Sequence, residues 1–122
     1  MQGIYFNYSL IFKALSDETR LKIIDMLSCG ELCACDILDC VDISQSTLSY
    51  HMKVLTEAKL VDGRKDGSWV RYSLNEKNKD QLISFLTNLM EDKESCICKD
   101  FNNEFKNCCV KGENIVNEHR HL

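Results

Sequence analysis

The chain has 122 residues, no proline, five glycines and eight cysteines, with 15 basic against 19 acidic side chains for a formal net charge of −4. That length suits one small domain and excludes a large catalytic one, while 44% apolar and 28% charged residues exclude a wholly disordered or collagen-like chain. No run of about 18 apolar residues is present to span a bilayer, and the apolar start lacks a basic leader and cleavage site, so the expected location is cytoplasmic, with no membrane partner.

Ile4, Tyr8, Ile11 and Leu15 recur at i, i+4, i+7 and i+11, the stripe of a first helix. Ser16 then reads as a small polar cap, with Asp17 and Glu18 in the first turn of a second helix carrying Leu21, Ile23, Ile24 and Leu27. Gly30 should terminate it. Residues 33–41 read as a short third helix. Ser44 caps a fourth, whose inner face is Leu48, Met52 and Leu55. After Leu60 the period changes from 3.6 to 2. Residues 61–64 and 69–74 read as strands joined by Lys65-Asp66-Gly67-Ser68, in which Asp-Gly is a strong hairpin signal. Val70, Tyr72 and Leu74 should face inward, and Trp69, Arg71 and Ser73 outward. Residues 80–90 form a last helix on Leu82, Phe85, Leu86 and Leu89. The expected division is a domain over residues 1–92 and a polar, cysteine-containing tail over 93–122. That tail is either disordered or one short helix through Cys98, Phe101, Phe105 and Cys108.

The charge is unevenly spread. Residues 1–43 balance to −4, residues 44–71 to +2, residues 72–90 to zero and residues 91–122 to −2. Two short helices with a tight polar turn near Asp42 and Ile43, followed by a basic hairpin, describe a winged helix-turn-helix, mainly α with a β-hairpin wing. In that fold the second helix of the pair enters the major groove of double-stranded DNA. Here it begins with Ser44, Gln45, Ser46 and Thr47. Gln45, Ser49 and Lys53 share the face opposite Leu48 and Leu55, flanked by Ser46 and Tyr50. Glutamine can address adenine, serine either strand, and lysine or the helix N-terminus a phosphate. Arg64, Lys65 and Arg71 on the wing would reach the flanking backbone. His51, near the inner face, is expected to be a hydrogen-bonded structural residue, and Trp69 to pack rather than stack on a base.

The cysteines fall in two clusters: Cys29, Cys33, Cys35 and Cys40, then Cys96, Cys98, Cys108 and Cys109. In a reducing compartment clustered thiols bind soft metals or do redox work. Cys33 and Cys35 make the central pair. On a regular helix residues i and i+2 point apart, so the expectation is that the first turn of the third helix must loosen before one ion can hold both. The helix N-terminus is expected to lower both thiol pKa values. A third donor is open: Cys29 precedes a flexible glycine, Cys40 lies about 10 Å along the axis from Cys33, and a tail thiol could come from either subunit. No Cys-x-x-Cys occurs, which argues against a thiol oxidoreductase and against an enzyme of that kind.

Four ordered stretches carry a family resemblance: residues 12–23 (FKALSDETRLKI), 30–37 (GELCACDI), 43–55 (ISQSTLSYHMKVL) and 63–74 (GRKDGSWVRYSL). Together they resemble the ArsR/SmtB family of metal-responsive repressors, most closely its arsenite-sensing, arsenical-resistance branch. The resemblance implies a homodimer held by the first and last helices, a two-half-site operator, and release when As(III) or Sb(III) takes three thiolates. It departs in two places: Lys59 stands where the family often has glycine, and Leu38 stands where a third cysteine is common. The alternatives are the same repressor sensing Cd(II), Pb(II) or Zn(II), or one switched by thiol oxidation. No cysteine lies in residues 1–15 and no histidine in 78–95, where cadmium- and zinc-sensing relatives place ligands.

Overall fold

The computed structural model describes residues 3–92. The expected tail, with Cys96, Cys98, Cys108 and Cys109, lies outside the described residues. The chain order is α1 (Gly3–Leu15), α2 (Glu18–Leu27), β1 (Leu32–Cys33), α3 (Ala34–Cys40), α4 (Gln45–Glu57), β2 (Val61–Asp66), β3 (Trp69–Leu74) and α5 (Glu76–Met90). The strands form an antiparallel sheet in the order β1-β3-β2. This is the expected winged helix-turn-helix, with α3 and α4 as the pair and β2–β3 as the wing.

The core is built from Ile23 and Leu27 of α2, Ile37 of α3 with Val41 just after it, Leu48, Met52 and Leu55 of α4, Leu60 before β2, Val61 at the start of β2, and Leu82 of α5. Of the α1 stripe, Tyr8, Ile11 and Leu15 pack against it, but Ile4 is exposed, as is Leu21 on α2. Phe85 joins α5 to α1: its ring stacks on Tyr8 at 3.9 Å and lies 6.4 Å from Phe12.

Four boundaries differ from the pattern reading. Ser16 is not the α2 cap, because its N–H still bonds back to Lys13 O at the end of α1. Asp17, in extended conformation, takes over and accepts the Arg20 N–H. The wing strand β2 runs two residues further than expected: Lys65 and Asp66 pair with Val70 and Trp69, leaving Gly67 and Ser68 as a two-residue turn. Gly67 supplies the positive φ of +68° that such a turn requires. α5 starts at Glu76 rather than residue 80, because Asn75 Oδ1 accepts the Asn78 N–H and caps a polar first turn that has no apolar period. β1 was not legible at all; it is two residues long and pairs Leu32 with Tyr72 and Cys33 with Arg71.

Ser44 caps α4 as expected. At the other end Leu60 N–H bonds to Leu55 O and Lys59 N–H to Thr56 O, a Schellman turn with Lys59 at φ 64°. Lys59 thus adopts the backbone conformation that a glycine would supply, so the bend after α4 remains tight.

Candidate nucleic-acid interface and thiol site

Because Leu48, Met52 and Leu55 point into the core, helical geometry puts Gln45, Ser49 and Lys53 on the outside of α4, and all three are exposed. Tyr50 is 61% exposed beside them. The first turn is held by hydroxyls. Ser44 Oγ accepts the Thr47 N–H at 3.2 Å, donates to Thr47 Oγ1 at 2.9 Å and lies 3.2 Å from Ser46 Oγ. Ser44, Ser46 and Thr47 therefore shape the helix N-terminus, while Gln45 and Ser49 have no such side-chain hydrogen bond among the described residues.

The wing sits beside this face. Ser49, Lys53, Gly63 and Lys65 line one shallow groove, and Gln45, Ser49, Ser68 and Trp69 line the next. Trp69 is part of that wall. Two of the three wing cations are already paired: Arg64 Nη2 donates to Glu31 Oε1 at 2.9 Å, and Arg71 Nε to Asp66 Oδ2 at 2.6 Å. The Arg71 contact holds the Asp66 carboxyl below its usual range. Lys53 and Lys65 make no ion pair among the described residues, so neither would have to give up a carboxylate to meet another anion. His51 is buried on the inner face of α4, as expected, and takes a hydrogen bond at Nδ1 from Arg20 Nη1 at 3.0 Å.

The thiol pair corrects the expectation most. Cys33 is not inside α3 but is its N-cap, with φ −71° and ψ 147°. An extended cap residue swings its side chain over the helix end, so no loosening is needed to bring the sulfurs together. Cys33 Sγ accepts the Cys35 N–H at 3.4 Å and the Cys35 thiol at 2.6 Å. Asp36 completes a capping box by accepting the Cys33 N–H at 3.2 Å. The two sulfurs and an Asp36 carboxylate oxygen lie within 4.8 Å of one another, the metal-competent cluster found among the described residues.

That donor set fits a small thiophilic ion: two soft sulfurs, one nearly buried and one half-buried, with a carboxylate alongside. Cys29 and Cys40 are both exposed and stand outside the cluster. Asp36 was missed from sequence. The Cys33-x-x-Asp36 spacing was the available signal, since it is the capping-box spacing with cysteine in the serine position. The expected fall in thiol pKa does not hold at Cys35. Its hydrogen bond to Cys33 raises it first, then burial and the neighbouring Cys33 and Asp36 charges, and the Asp36 N–H opposes this only weakly.

The sequence model described as bacterial regulatory protein, arsR family, matches residues 17–62, from the α2 cap into β2. An arsenical resistance operon repressor from Staphylococcus aureus is 48% identical over 96 residues, covering 79% of this chain and 92% of that protein. A cadmium resistance transcriptional regulatory protein CadC homolog, also from Staphylococcus aureus, is 43% identical over 74 residues, covering 60% of this chain and 61% of that protein. Among solved structures, HlyU from Vibrio cholerae N16961 matches with a TM-score of 0.62 at 31% identity, covering 74% of this chain and 98% of that one. With the helix pair, the wing and a relative this similar along nearly its whole length, the chain belongs to the arsR family of bacterial regulatory proteins, as a DNA-binding transcription regulator and not an enzyme.

Proposed function

We propose that this protein is a transcriptional repressor of a metal(loid)-resistance operon that binds double-stranded operator DNA as a homodimer and releases it when its cysteine thiolates take up As(III) or Sb(III). The observation that carries the reading is the adjacency of the Cys33 and Cys35 sulfurs, set on the cap and first turn of α3, the first helix of the pair. The relatedness to an arsenical resistance operon repressor supports it. Gln45 and Ser49 read base edges, and Ser44, Ser46 and Thr47 present the N-terminus of α4 to the backbone. Tyr50, Lys53, Arg64, Lys65 and Arg71 reach the sugar-phosphate on either side. Dimerisation through α1 and α5 is supported by the exposed Ile4, Tyr5, Phe6 and Leu10 on the one and Ile83 on the other. The third thiolate comes from Cys29, Cys40 or the tail cysteines.

Since α3 need not unwind to bring the two sulfurs together, the coupling runs through what Cys33 already does. Its sulfur caps α3, and its main chain pairs with Arg71 of the wing. Engaging that sulfur withdraws the acceptor of the Cys35 N–H and disturbs the helix pair and the wing together. A coupling of about 1–3 kcal/mol per site suffices for 5–150-fold release.

Asp36 favours a second reading. Two sulfurs and a carboxylate suit Zn(II), Cd(II) or Pb(II) as well as a trivalent metalloid, and one relative is named for cadmium resistance. Titration of the reduced protein on a bound operator duplex separates these. Arsenite alone should release it, and Cys33→Ser and Cys35→Ser should keep DNA affinity and lose the release. Release by divalent cations only supports the second reading, whereas release by peroxide only would move the switch to thiol oxidation. A normal arsenite response in either serine variant removes this site.

A further inference from the structure

A helix reads bases only if its rotation about its own axis is fixed. With side-chain tips about 6 Å from the axis, a rotation of roughly 20° carries a tip about 2 Å, enough to break a hydrogen bond that tolerates only a few tenths of an ångström. Leu48, Met52 and Leu55 set the depth of α4 in the core, but burial of methyl groups is non-directional and specifies rotation poorly. The inner face of α4 carries one directional contact among the described residues. His51, 9% exposed, is the buried polar residue of the core, and its Nδ1 accepts from Arg20 Nη1 at 3.0 Å.

The same guanidinium does more. Arg20 Nε donates at 2.6 Å to Ala14 O, one of the carbonyls that the end of α1 leaves without a helical partner. The Arg20 backbone N–H is held by Asp17 Oδ2, and that carboxylate lies 3.9 Å from His51 Nδ1. One planar group therefore ties the end of α1, the start of α2 and the middle of α4. Arginine suits this because its donors leave in fixed directions, where the point charge of lysine cannot serve a carbonyl and a ring nitrogen in two places at once.

We propose that Arg20 and His51 are positioning residues for DNA reading, with the Arg20 guanidinium locking the rotation of α4 against α1 and α2. The proposal rests on α4 being the reading helix. His51 is buried and the Arg20 guanidinium is taken up by Ala14 O and His51 Nδ1, so their loss should remove discrimination without removing phosphate contacts.

The test compares binding to two duplexes, one enriched by the wild-type protein from a randomised pool and one of scrambled sequence, across a salt series. Arg20→Met and His51→Leu should each weaken binding to the enriched duplex about tenfold, the scale of one lost base-pair recognition. Binding to the scrambled duplex and the salt slope should be unchanged, and the double variant should be no worse than either single. His51→Asn keeps an acceptor where Nδ1 stands and should recover most of the loss. Arg20→Lys, which keeps charge and stem but not the fork, should behave like Arg20→Met and serves if His51→Leu does not fold. Equal losses on both duplexes, additive losses, or His51→Asn as poor as His51→Leu overturn the proposal. Gln45→Ala is run alongside. If it loses discrimination and Arg20→Met does not, the positioning role alone falls; if neither does, the reading of α4 falls with it.

Discussion

Lys59 holds φ 64° at the end of α4, and its carbonyl takes a hydrogen bond from Asn78 Nδ2 at 2.8 Å. An L-residue pays about 1–2 kcal/mol there, against roughly 0.5–1 kcal/mol for the extra unfolded-state freedom of glycine. Lys59→Gly should therefore raise stability by about 0.5 kcal/mol in urea unfolding, with the fold unchanged. Cys35 carries a pH consequence. Its thiol is raised by the hydrogen bond to Cys33, so it stays protonated through neutral pH and becomes a thiolate only as the pH climbs toward that raised value. Ion uptake should quicken with rising alkalinity, and in Cys33→Ala the thiolate absorbance of Cys35 should emerge at lower pH than in the wild type. Both residues show where the sequence was readable and where it was not. The departure at Lys59 was visible as a missing glycine and Cys33 and Cys35 as a pair of thiols, but that their sulfurs meet without α3 unwinding was hidden, because a cap and a helical residue look the same in one-letter code.

The long amphipathic helices were the most legible elements. α4 declared both its Ser44 cap and its Leu48, Met52 and Leu55 face, and the wing declared itself through Asp66-Gly67. What escaped was set by contacts distant in sequence or by polar caps. β1 has two residues and no period to detect, and the start of α5 depends on Asn75, whose own N–H bonds to Leu60 O. The attachment of α5 to α1 rests on aromatic rings, with Tyr8 and Phe85 stacked 6° from parallel. A double-mutant cycle on Tyr8→Ala and Phe85→Ala should give a coupling of about 0.5–1.5 kcal/mol, read from unfolding midpoints. Additive losses would mean the rings merely fill space.

At the scale of the whole molecule, an acidic protein binds an acidic polymer, so the local arrangement has to outweigh a net charge of −4. Arg64 and Arg71 are engaged by Glu31 and Asp66, while Lys53 and Lys65, without an ion pair among the described residues, line the groove beside the exposed face of α4. Two copies acting together would compensate for a weak single grip. Phe6→Glu combined with Ile83→Glu, both at exposed apolar positions, should give a monomer in sedimentation and lower operator affinity by about 100-fold or more. A dimer that persists in the double variant places the interface elsewhere.

β3 is the middle strand of its sheet, with β2 along one edge and the two residues of β1 along the other. An edge so short is the easiest part of the sheet to peel away, and it carries Cys33. An ion that turns Cys33 should strip β1 from β3, so whichever of the Arg71 and Tyr72 amides points toward β1 should take up deuterium sooner than those around Val61 and Leu74. The wing would then feel the ion through its own peptide backbone, and no wing side chain would be needed to carry the message.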